Sequence, residues 1–168
     1  MKKTVLALIL GIALLAAFGT EAKAQIPKEG TISFVTSFSG TGKRLQIGQE
    51  DFQSVYEVTG ANITDTDEDL LHNTSYHCLG ALHVVKGEFN DSRGFCVLIR
   101  PDGDKIFSSY KEVGKLGGII KGTNTFIGGT GKMTGIQGSF EYTATDVRPA
   151  AEGTFQGYNR VKGQYKLP

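Results

Sequence analysis

The chain has 168 residues, 18 basic and 17 acidic side chains, a formal net charge of +1, 23 glycines and two cysteines. So even a balance gives no electrostatic case for nucleic acid or an anionic membrane as partner. The length is enough to bury a real core without covalent or metal staples.

The first residues read as a secretory signal peptide over 1–24. Met1-Lys2-Lys3-Thr4 is a short positive start, Val5 to Phe18 is an apolar helix-forming run, and Ala22-Lys23-Ala24 is a small-x-small cleavage pattern. The apolar run is short for a membrane span. No cysteine follows it, so lipid attachment is not expected. The Lys-Lys start has a bacterial character, which points to the periplasm or the medium, with no membrane association after cleavage. Cleavage removes Lys2, Lys3, Lys23 and Glu21. What remains, 25–168, is one domain's worth of chain with a net charge of −1.

Beyond Gln25 no helical pattern stands out. Short segments rich in Val, Ile, Phe, Tyr and Thr are broken by Gly, Asn, Asp and Ser at intervals typical of an all-β sandwich or barrel. Candidate strands are Gly30–Ser37, Leu45–Gln49, Gln53–Thr59, Ser75–Val85, Gly94–Arg100, Lys105–Tyr110, Gly117–Gly122, Gln137–Thr145 and Gly153–Leu167. The segment Lys115–Ile127 also reads as extended. A closed antiparallel barrel of about eight strands fits this number and leaves no exposed edge. Gly40-Thr41-Gly42-Lys43 reads as a hairpin turn.

Glu57 to Thr74 is the least patterned region. Its run Asp65-Thr66-Asp67-Glu68-Asp69 resembles the start of a calcium loop. That motif requires glycine where Leu70 stands and glutamate where Tyr76 stands, so the run reads as a solvated acidic loop. Asn62, Asn73 and Asn90 begin glycosylation sequons, which carry little weight in a bacterial chain. Pro101-Asp102-Gly103-Asp104 reads as a tight hairpin turn rather than a metal site.

Cys78 and Cys96 are an even pair, and in an oxidising compartment that reads as one disulfide. Two buried thiols are the alternative, because strand register is not legible in the sequence. Without a Cys-x-x-Cys spacing a redox role is not expected. On the strand around Cys78, His77 and His83 share one face with Leu79. They are about 20 Å apart along an extended chain, too far to hold one metal. Cys78, Leu82 and Val84 form the more apolar face and are taken to point inward. On the last strand Phe155, Gly157, Asn159 and Val161 are taken as inward, with Arg160 outward. Phe140 and Tyr142 share a face and pack inside.

The most organised stretch is Phe126 to Phe140, in which Gly128, Gly129, Gly131, Gly135 and Gly138 fall within eleven positions. So many glycines argue for irregular backbone between two strands, plugged by Met133 and Ile136. It is not a nucleotide loop. Phe126 and Met133 stand where that pattern needs glycine and serine or threonine, and Thr134 breaks the dinucleotide pattern.

The run Gly-Gly-Thr-Gly-Lys-x-x-Gly-Ile-x-Gly resembles the signature loop of the allene oxide cyclase-like barrel superfamily. Dirigent proteins and many bacterial secreted proteins are similar there. His77-Cys78-Leu79-Gly80, Gly94-Phe95-Cys96 and Asp102-Gly103-Asp104-Lys105 resemble the same bacterial group. Met133 is a departure, since an aromatic residue is usual there. The resemblance implies a closed eight-stranded barrel and says little about activity. Related barrels form dimers or trimers, so an oligomer is compatible with it.

No nucleophile-elbow serine or legible triad is present. No cofactor or metal site is read from the sequence. A small barrel either fills its lumen with side chains or holds one small ligand. The leading expectation is a binding protein for a small hydrophobic or aromatic molecule. Leu82, Val84, Phe140, Tyr142 and Phe155 are the lumen candidates. The alternatives are a filled structural or interaction module, and a cyclase or isomerase that works by confinement.

Overall fold

The computed structural model describes residues 26–66 and 69–168. The segment read as a signal peptide lies outside the described residues. Eight strands follow one another, β1 (Glu29–Gly48), β2 (Asp51–Asn62), β3 (Thr74–Val85), β4 (Glu88–Ile99), β5 (Lys105–Lys115), β6 (Ile119–Gly129), β7 (Gln137–Val147) and β8 (Thr154–Lys166). Each pairs antiparallel with the next, and β8 returns to β1, so the sheet closes into a barrel. The one helical element described is a 3-10 turn at Gly131–Met133.

Strand β1 explains how the barrel closes. Its first part, Glu29 to Thr41, pairs with β8, and its second, Ser37 to Gly48, pairs with β2. This corrects the sequence reading of a hairpin turn at Gly40–Lys43, because the strand runs straight through it. Gly40 is there for space. A Cβ at Gly40 would overlap the Phe155 ring and the Glu57 carbonyl oxygen. The turn between β3 and β4 lies at Lys86-Gly87, both with positive φ, and β4 begins before the Gly94 start read from the sequence. Strands β2, β5 and β6 also run further than their sequence patterns indicated.

Side chains alternate across the wall as the two-residue period requires. On β3, Cys78 and Val84 are buried while His77, Leu79, His83 and Val85 are exposed. Both histidines have acidic neighbours on the outer surface: His83 Nε2 lies 2.5 Å from Asp51 Oδ1, and His77 Nε2 lies 3.8 Å from Glu57 Oε2. On β8, Gly157, Val161 and Tyr165 are buried and Arg160 is exposed.

One end of the barrel is packed shut. Met133 and Ile136 from the β6–β7 connection are buried with Ile32, Ile106, Phe126 and Leu167. Leu70 and Leu71 join them from the β2–β3 connection, which the sequence marked only as acidic and solvated. Asn62 Nδ2 donates to Thr74 Oγ1 at 2.8 Å, and Thr74 Oγ1 donates to the Leu71 carbonyl at 2.8 Å, anchoring that connection. The glycine-rich connection is tied to the β4–β5 turn. Lys132 N donates to Asp104 Oδ2 at 2.9 Å, Lys132 Nζ donates to Asp102 Oδ2 at 3.0 Å, and Lys105 N donates to Thr130 Oγ1 at 2.9 Å. The Pro101–Asp104 turn is a true hairpin, with Gly103 N donating to the Arg100 carbonyl at 3.0 Å.

Cys78 and Cys96 stand directly opposite each other on β3 and β4, with Cα atoms 4.1 Å apart, and form a disulfide. Both face inward.

Candidate functional site

Above the plug the lumen is not filled. A cavity of about 710 Å³ runs up to the turns at the other end, where Leu116, Gly117 and Gly153 border it. That volume lies within the range of small-molecule sites. Its wall is mostly apolar, with Phe34, Phe38, Leu82, Phe140, Phe155 and Val161 contributing.

The aromatic rings fit because glycines sit opposite them. A Cβ on Gly80 or Gly94 would overlap the Tyr110 hydroxyl, and one on Gly122 would overlap the Tyr142 ring. Each glycine thus provides the room in which a ring lies against the wall. The rings also contact one another. Phe155 meets Tyr56 edge-on at 6.2 Å and Phe38 at 6.3 Å, and Phe140 lies 6.3 Å from Tyr142.

Glu112, on β5 and facing inward, is the chemical centre of this wall. Tyr142 Oη donates to its Oε1 at 2.7 Å. Ser92 Oγ donates to its Oε2 at 2.8 Å, and Tyr56 Oη approaches the same oxygen at 3.3 Å. Tyr56 and Ser92 hydroxyls are 2.7 Å apart, and Tyr110 Oη donates to Tyr56 Oη at 2.9 Å. The hydroxyl chain therefore runs towards one carboxyl group. Among the described residues no lysine, arginine or histidine forms an ion pair with it.

Burial pushes the Glu112 carboxyl above the usual carboxylate range, with the Asp146 charge adding to that effect; the three hydroxyls oppose it. Asp146, nearer the mouth on β7, is also raised by burial, although Gly117 N donates to it at 3.3 Å. Burial likewise raises Tyr56, Tyr110 and Tyr142, so these phenols stay neutral across the physiological range. Asn124 and Asn159 line the same cavity, and the side-chain oxygen of each is buried without a hydrogen-bond partner.

Of the residues singled out in the sequence, Leu82, Phe140, Tyr142 and Phe155 line the cavity, and Cys78 and Cys96 form part of its wall. Val84 faces inward and is completely buried, but it lies off the cavity. The five loop glycines sit at the opposite, plugged end. Gly128, Gly131, Gly135 and Gly138 have φ of 156°, 52°, 76° and 127°.

No family model, curated protein or solved structure matches this chain. The site must be read from its own chemistry. Sequence reasoning missed Glu112, Tyr56, Tyr110, Ser92 and Asp146. A signal was present on β5, where Ile106, Ser108, Tyr110 and Glu112 alternate with Phe107, Ser109 and Lys111. The acid falls in phase with the buried positions, but that phase is fixed only once pairing is known. Among the described residues no group of three or more His, Cys, Asp or Glu side chains is placed to hold a metal ion.

Proposed function

We propose that this barrel binds a small hydrophobic or aromatic molecule in its lumen. The observation that carries this reading is the unfilled cavity of about 710 Å³, walled by aromatic rings above a tightly packed plug. A large apolar concavity with a few convergent polar groups is the usual form of a ligand site. The same open volume weighs against a filled barrel acting only as a structural module.

A second reading, conversion of the bound molecule by confinement, draws support from Glu112. It is a carboxyl group with a raised pKa, hydrogen-bonded to phenols inside an apolar cavity, and such groups are enriched where protons are transferred. Binding is common to both readings and is tested first.

We further propose a secreted or periplasmic location. The leader-like residues 1–24 and the Cys78–Cys96 disulfide, which suits an oxidising compartment, support it. We propose kinship with the allene oxide cyclase-like barrels as well, and the glycine-rich loop motif is what supports it.

Titration with the neutral fluorescent probe N-phenyl-1-naphthylamine tests the binding reading. Saturable fluorescence gain with one site per chain is expected, and Phe155→Ala should weaken it by roughly tenfold through loss of a ring that packs on both Tyr56 and Phe38. Absence of saturable binding by a folded wild-type protein, together with a bare mass in native mass spectrometry of material from its own host, would refute it.

A further inference from the structure

We propose that the molecule held in the lumen is an organic cation, an apolar or aromatic amine whose ammonium group sits against Glu112. The inference rests on the reading of the lumen as a binding cavity and names the class of ligand it selects.

Three observations on the cavity wall carry it. First, the charged residues that line the cavity are Arg44, Glu112 and Asp146, so acids outnumber bases. Arg44 stands at the rim, exposed, with its guanidinium stacked 4.6 Å above the Phe52 ring. Among the described residues the interior therefore holds two acidic groups and no basic side chain.

Second, among the described residues the hydrogen-bond partners of Glu112 are hydroxyls. Tyr142, Ser92 and Tyr56 present O–H groups to its two oxygens, and Tyr110 backs Tyr56. That arrangement is complementary to a carboxylate, since a carboxylate accepts and hydroxyls donate. Hydroxyls supply dipoles but no countercharge, and a buried carboxylate is costly without one. An ammonium group on the ligand completes the pair.

Third, the groups around Glu112 suit a cation on their other faces. Tyr56 and Tyr142 bond to the carboxyl through their hydroxyls, and Phe155 packs against Tyr56. Ring faces next to a carboxylate attract ammonium groups electrostatically. The partnerless side-chain oxygens of Asn124 and Asn159 on the same wall add to its acceptor character.

The test compares three probes of one shape, phenylbutylamine, phenylbutanol and phenylbutanoate, by isothermal titration with the purified protein near neutral pH. Wild type is expected to bind the amine at least about tenfold more tightly than the alcohol, and the carboxylate most weakly. Glu112→Gln should remove the preference for the amine over the alcohol.

The outcomes separate the two layers of the argument. If none of the three binds and N-phenyl-1-naphthylamine also fails, the binding reading itself falls. If amine and alcohol bind equally to wild type, the lumen binds ligands but the cation assignment is wrong. Tighter binding of the carboxylate would overturn it in favour of recognition by Arg44. An amine preference that survives in Glu112→Gln would remove Glu112 from the assignment. The wild-type comparison stands even should that variant fail to fold.

Discussion

Glu112 shows how one residue can set the pH response of a barrel. Its neighbours are Tyr56, Tyr110 and Tyr142, which stay neutral, Ser92, and the acidic Asp146. Because burial raises its folded pKa, the folded protein holds this proton more tightly than the unfolded chain does. The cost of ionising it is absent below the unfolded value of about 4.3 and complete above the folded one, so stability falls as pH rises through that window. Asp146 shifts in the same direction and contributes a fall of the same sign. Glu112→Gln is expected to flatten the stability–pH curve, gaining most relative to wild type at neutral pH. Urea denaturation at a series of pH values from acid to neutral checks this, and parallel curves for the two proteins would show that Glu112 is not perturbed. The alternation on β5 puts this residue in phase with Ile106, Ser108 and Tyr110, but no local feature says which phase is buried. Its role comes from Ser92, Tyr56 and Tyr142, which three other strands bring to it.

At the scale of elements, the β6–β7 connection closes one end of the lumen. Met133 is completely buried there, and its truncation to alanine should cost about 2–5 kcal/mol, as for other large-to-small core changes. Gly131 has φ of 52°, and a Cβ there would overlap the Asp104 carboxylate, so Gly131→Ala adds strain and displaces the turn that holds the loop. Chemical denaturation should show both variants destabilised with the barrel still formed. Equal stability of Gly131→Ala and wild type would count against the docking of this loop on Asp104. The connection was legible because dense glycine signals irregular backbone wherever it occurs. The same logic failed at Gly40 and Gly42. Glycine in this fold has two uses, irregular backbone and clearance for a ring, and local sequence does not tell them apart. Leu70 and Leu71 were missed for a related reason. Two apolar residues beside an acidic run have no period, and only the fold shows that they reach the plug.

For the molecule as a whole, the disulfide and the open lumen matter most. Cys78 and Cys96 are separated by 18 residues and tie β3 to β4 across the lumen wall. Replacing both by alanine should lower stability by about 3 kcal/mol through the entropy of the unfolded chain. Thermal or urea unfolding of the double variant measures this, and a reductant should shift wild type but not the variant. Closure by pairing β1 with β8 makes every strand depend on both neighbours, so a two-state transition is expected for both proteins.

The sequence by itself determined the all-β class, the number and order of most strands, and the glycine-rich connection. These follow from period and from local backbone chemistry, which a single segment carries. Only the tertiary structure decided that the two cysteines lie opposite each other, that the lumen stays open, and that Glu112 meets Tyr56, Ser92 and Tyr142 there. Those facts depend on register between strands distant in sequence. A shift of one residue in pairing would turn Glu112 to the outside, and no short stretch of chain contains that information.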